Sequence, residues 1–255
     1  MALRKPVMAG NWKMNKGPSE TAAFFADFLA AWTPRDDRTV AFFPPAVSLL
    51  SAVSAVDGRD DVLLGVQNVY WEASGAFTGE TSVAMAADAG AKLVLVGHSE
   101  RRHVFGETDG ETARKVRAAL DGGLVPVLCV GETLDERRAG DAKAVVRRQL
   151  AAVLPTLSAD EADRLVVAYE PVWAIGTGET ASPEDAGAMH RVCRDALAQA
   201  FGAAAAEAVP VLYGGSVKPD NAAELLAQPG VDGVLVGGAS LDARGFAAIC
   251  GAGTG

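Results

Sequence analysis

Eight short apolar runs punctuate the chain, at 7–10, 40–43, 62–66, 93–96, 125–130, 166–168, 209–212 and 234–236. Each is too brief for a helix, and each is continuous rather than alternating. That pattern suits strands buried on both faces, as in a parallel sheet. The segments between them carry helical periodicity. Phe24, Phe25, Phe28, Leu29 and Trp32 fall on one stripe of a helix that Ser19 would cap and Pro34 would stop. Ser182-Pro183-Glu184-Asp185 opens a second helix, with proline at its first position and acids in its first turn, and Gly202 is placed to close it. Eight strands alternating with helices over about 250 residues predict an α/β fold, a (β/α)₈ barrel. The open doubly wound sheet is the rival, but no G-x-G-x-x-G follows the first run. No linker or low-complexity tract breaks the pattern, so residues 1–255 are expected to form one domain.

In such a barrel, chemistry gathers at the carboxyl ends of the strands. After the first run comes Asn11-Trp12-Lys13, and after the fourth Gly97-His98-Ser99-Glu100. Tyr169-Glu170 follows the sixth, Gly214-Gly215-Ser216 the seventh, and Gly237-Gly238-Ala239 the eighth. A carboxylate at Glu170 in apolar surroundings is expected to have a raised pKa and to act as a base. The segment 171–178 after it has proline at one end, glycine at the other and an apolar middle, a composition that suits a lid. A structural Glu paired with an arginine is the plain alternative. Ser99-Glu100-Arg101 reads as a helix start, which disfavours an imidazolium and keeps His98 a neutral donor; a core histidine is the alternative. Lys13 fits a positive end for an anion, a solvated loop lysine or a Schiff-base former. The glycine pairs bring backbone N–H groups close to an oxyanion, helped by a short helix starting near Ala239, or else they only make tight turns.

Composition narrows the ligand. The formal net charge is −9, and no long basic run occurs. Nucleic acid and anionic membranes are therefore poor partners, and an anionic ligand must be attracted locally. Three distant cysteines, Cys129, Cys193 and Cys250, make no disulfide framework. The three histidines lack metal-site spacing, so neither metal nor cofactor is expected. No uncharged stretch is long enough for a bilayer, and the first residues lack a secretory apolar core; the expectation is a cytoplasmic protein.

Asn11-Trp12-Lys13-Met14-Asn15, residues 96–102, residues 168–178 and Tyr213-Gly214-Gly215-Ser216-Val217 together resemble the triosephosphate isomerase family, as do residues 65–68, 75–80 and 131–134. The resemblance runs nearly end to end. It implies a TIM barrel that interconverts dihydroxyacetone phosphate and D-glyceraldehyde 3-phosphate in glycolysis and gluconeogenesis, without a cofactor. Under it Glu170 is the base, His98 the neutral electrophile, and Lys13 with Asn11 the substrate-binding and oxyanion-stabilising pair. Gly176, Ser216, Gly237 and Gly238 would bind the phosphate, Ser99 and Glu100 would support the site, and Cys129 matches a buried family cysteine. The resemblance also implies a homodimer in which the loop around Thr78 reaches the neighbouring subunit near Lys13. An aldolase using Lys13 and a non-catalytic phosphate-binding barrel are the competing readings.

Overall fold

The computed structural model describes residues 3–174 and 181–253. Eight parallel strands close into a barrel in sequence order: β1 (Val7–Asn11), β2 (Thr39–Phe43), β3 (Val62–Val66), β4 (Leu93–Val96), β5 (Val125–Val130), β6 (Val166–Tyr169), β7 (Val211–Tyr213) and β8 (Gly233–Val236). The last strand pairs with the first, Val7 opposite Gly233 and Gly10 opposite Val236. Among the described residues, the helices of the outer ring are α1 (Pro18–Ala31), α2 (Leu49–Ala55), α3 (Val83–Asp88), α4 (Ser99–His103), α5 (Asp109–Asp121), α6 (Leu134–Arg138), α7 (Ala142–Val153), α8 (Pro183–Phe201), α9 (Ala203–Ala208), α10 (Ala222–Leu226) and α11 (Ala243–Gly251).

Strand side chains alternate between two apolar environments, which is why the runs are continuous rather than period-two. Val7, Ala9, Ala41, Phe43, Leu93, Leu95, Val125 and Val127 fill the barrel interior. Met8, Val40, Phe42, Val94, Val96 and Leu128 point outward into the layer beneath the helices. Phe42 anchors that layer. Its ring centroid lies 5.0 Å from Phe25, 4.9 Å from Phe28 and 5.0 Å from Phe246, so one side chain joins α1, β2 and α11. The interior is tight enough to require glycine at position 65, where a Cβ would crowd the Phe43 ring and sit 2.7 Å from the Leu93 carbonyl oxygen.

The predicted apolar stripe of α1 is buried, with Phe24, Phe25 and Phe28 facing the core. Its expected cap is corrected. The helix starts one residue before Ser19, at Pro18, with Gly17 at the cap position, and the Glu20 carboxylate accepts the Gly17 N–H at 3.1 Å. Proline at the first helical position, which needs no donor, sets the start instead of the serine. At α8 the reading holds: Ser182 Oγ accepts from Asp185 N–H, and Gly202 ends the helix at φ 83°. The short helix expected near Ala239 is a single 3₁₀ turn, Gly238–Leu241, with the Gly237 carbonyl accepting both Ser240 N–H and Ser240 Oγ. Asp242 then caps a separate helix, α11, which leaves no room for more than that turn.

Candidate active site

The carboxyl ends of β1, β4, β6, β7 and β8 open on one cavity of about 400 Å³. Asn11, Lys13, His98, Glu170, Ser216, Gly237 and Gly238 all line it. The structure therefore brings together every described residue assigned to catalysis or substrate binding from the sequence. Gly176 lies outside the described residues, as does the second half of the expected lid, 175–178; the first half includes a 3₁₀ turn, Val172–Ala174.

Glu170 directly follows β6, and its backbone N–H extends the ladder to Val130 O at 2.7 Å. The residue is 2% exposed. One carboxylate oxygen accepts Ser99 N–H at 2.9 Å and the other lies 3.0 Å from His98 Nε2. Close packing permits this: a Cβ at Gly214 would lie 2.8 Å from Glu170 Cγ. Gly214 thus clears space for the carboxylate, a reason for glycine that the sequence alone did not supply.

The expected rise in the Glu170 pKa is corrected. Burial pushes the carboxyl up, but the His98 ring, the Ser99 N–H and the Lys13 charge together outweigh it and leave it below the usual range. For His98, burial opposes the charged ring while the Glu170 carboxylate favours it, and the net pull is upward. Glu100 N–H donates to Nδ1 at 3.3 Å, which requires a lone pair there. That accepted bond fits a neutral imidazole with its proton on Nε2, directed at Glu170.

His98 owes its position to the residue before it. Gly97 takes φ 70°, a left-handed turn that glycine adopts without strain. Its N–H donates to Glu107 at 3.0 Å and its carbonyl accepts Arg102 Nε at 2.8 Å. Glu107 is buried and held by Lys115 at 2.6 Å and Arg101 at 3.1 Å. Burial pushes its carboxyl up, but those two cations hold it below the usual range. Sequence reasoning missed this cluster, because nothing local marks a glutamate as the partner of a glycine ten residues earlier.

Lys13 also has a left-handed backbone, at φ 52°. Asn11 Oδ1 accepts its N–H at 2.9 Å, and Gln67 Nε2 donates to its carbonyl at 2.8 Å. Its ammonium pairs with Glu100 Oε1 at 2.6 Å. An ion-paired ammonium is a poor nucleophile, which counts against the Schiff-base reading.

A second missed group flanks Glu170. Glu132, fully buried, accepts the Tyr169 hydroxyl at 3.0 Å and Trp173 Nε1 at 3.0 Å, with Arg137 at 3.4 Å. It ties the end of β6 and the turn after it to the loop following β5. The Gly131-Glu132 dipeptide was visible only as part of the family likeness. Cys129 is fully buried, its thiol pushed up first by burial and then by the Glu170 charge. Among the described residues no group of three or more His, Cys, Asp or Glu side chains is placed to hold a metal ion, and no helix is long and apolar enough to cross a membrane.

A closed parallel barrel with a buried carboxylate, an imidazole and a lysine in one glycine-walled cavity defines the class: an enzyme of the TIM-barrel type. The triosephosphate isomerase family model matches residues 6–253. The chain is 51% identical over 250 residues to the triosephosphate isomerase of Symbiobacterium thermophilum, covering 98% of this chain and 97% of that one. It is 49% identical over 247 residues to that of Solibacter usitatus, covering 97% and 99%. Against that of Herpetosiphon aurantiacus it is 51% identical over 247 residues, covering 97% and 98%. The chain belongs to the triosephosphate isomerase family.

Proposed function

We propose that the protein interconverts dihydroxyacetone phosphate and D-glyceraldehyde 3-phosphate through an enediolate, in glycolysis and in gluconeogenesis. The observation that carries this reading is the buried Glu170 carboxylate on the cavity wall, 3.0 Å from Nε2 of His98, whose Nδ1 accepts Glu100 N–H. As in the family's own scheme, a standard case of pKa tuning, Glu170 takes a proton from one carbon and returns it to the next. His98 Nε2–H donates to the carbonyl oxygen where negative charge develops, and Lys13 and Asn11 flank that oxygen. Ser216, Gly237 and Gly238 hold the phosphate; Gly176 joins them on the family likeness alone.

Both Glu170 oxygens are engaged in this structure, so the carboxylate must release His98 and Ser99 to reach a carbon. That release removes the contacts that lower its pKa while its burial remains. Its basicity therefore rises at the moment it is needed.

One domain, a cytoplasmic location and a homodimer complete the proposal. The dimer is supported by exposed apolar side chains on the segments that follow four successive strands: Met14 after β1, Val47 and Leu50 after β2, Phe77 and Met85 after β3, and Phe105 after β4.

The test is Glu170→Gln assayed with dihydroxyacetone phosphate in tritiated water. Turnover and tritium uptake should both fall about 10²–10⁴-fold, the usual contribution of a general base. Near-wild-type exchange in that variant would remove Glu170 from the chemistry.

A further inference from the structure

The cavity's charges leave a gap that Lys13 does not fill. Its ammonium is matched by Glu100 at 2.6 Å, and Glu170 adds a second carboxylate on the wall. Without another cation, the groups around the cavity would sum to a negative charge, in a protein of net charge −9. A dianion would then meet repulsion both at long range and at the mouth. Lys218 lines the same cavity beside Ser216 and Val217. Among the described residues no carboxylate lies within ion-pair distance of its ammonium, and the residue is exposed. Its main chain is held by Asn221, whose Oδ1 accepts Lys218 N–H at 2.8 Å while its Nδ2 donates to Ser216 O at 3.2 Å. Val217, buried between them, pins the segment.

We propose that Lys218 is a substrate-binding residue, an unpaired cation that draws the phosphoryl end of the triose phosphate into the cavity and offsets its charge there. This rests on the isomerase reading for the identity of the ligand, though not for the presence of a phosphate site. A unit charge near a dianion in largely aqueous surroundings changes binding by a modest, salt-sensitive factor.

The experiment compares wild type, Lys218→Gln and Lys218→Arg. It measures KM for D-glyceraldehyde 3-phosphate and calorimetric binding of inorganic phosphate, each at low and at high ionic strength. Lys218→Gln should raise KM and weaken phosphate binding about three- to tenfold at roughly 0.02 M salt, narrowing to below about twofold at roughly 0.5 M. Lys218→Arg should stay close to wild type. An unchanged KM and phosphate affinity at low salt, a loss that persists at high salt, or failure of arginine to restore binding would each overturn the proposal. If the wild type lacked isomerase activity, the isomerase reading would fail by itself, and the phosphate arm would still decide for or against Lys218.

Discussion

His190 shows how one residue can carry a pH dependence. It is fully buried on α8 between the rings of Tyr169 and Tyr213, with centroids 6.1 and 6.5 Å away. Nδ1 lies 2.9 Å from Gly230 O, and Nε2 has no hydrogen-bond partner among the described residues. Burial pushes its pKa down to about 4; the Gly230 carbonyl and Asp232 oppose this, and Arg194 adds to it. The unfolded chain therefore takes up a proton near the ordinary histidine pKa while the folded one resists, so stability falls as pH drops from about 6.5 toward 4. At about 1.4 kcal/mol per unit, the loss over that window is roughly 3–4 kcal/mol. Urea unfolding at pH 7 and pH 4.5 should show this drop in wild type and a smaller one in His190→Gln. Equal slopes would locate the dependence elsewhere. Nothing in the sequence gave this residue a role beyond its place in a helix, because its burial follows from where α8 docks.

At the scale of elements, the seam between β5 and β6 sets where Glu170 stands. A Cβ on Gly131 would collide with the Glu170 main chain, while Gln149 clamps Gly131 through both N–H (2.8 Å) and carbonyl (3.1 Å). Gly131→Ala should therefore push the two strand ends apart. The expected cost is about 1–3 kcal/mol of stability from overpacking, together with a lower kcat as Glu170 shifts. Thermal unfolding and steady-state kinetics on the same preparation check this, and a variant with unaltered kcat would show that the seam does not position the base. Elements were legible where local chemistry decides them. Ser182-Pro183 announces α8 because a hydroxyl cap and a donor-free proline act within one turn. At Gly17–Glu20 the same logic picked the wrong cap, since Pro18 moved the start of α1 ahead of Ser19. Gly238–Leu241 misled because its glycines and small residues suit a 3₁₀ turn as well as a helix.

For the whole molecule, eight apolar runs alternating with helical stretches, with no G-x-G-x-x-G after the first, predicted a closed barrel, because strands buried on both faces stay apolar throughout. The cavity lining was equally legible, since each strand's carboxyl end must face the same mouth. The partners inside it were not. Ser99 and Glu170 are 71 residues apart, and Lys13 and Glu100 are 87 apart. Such pairs depend on which loops meet around the ring, and with them went the sign of the Glu170 shift. Assembly is a prediction at this same scale. Light scattering should give a mass of twice the chain, and Thr78→Arg, on the exposed loop proposed to cross to the neighbouring subunit, should shift that mass toward one chain on dilution and lower activity with it. A wild type that scatters as one chain at micromolar concentration would end the dimer reading.

The left-handed backbone at Lys13 has a consequence for descent. A non-glycine residue there costs on the order of 1 kcal/mol, and the lysine's partly exposed pair with Glu100 returns little of it. Selection for a sound fold alone would be content with glycine. Lysine persisting there in a distant relative would therefore testify to turnover still under selection, whereas its disappearance with the barrel intact would mark a lineage that kept the architecture and let the reaction go.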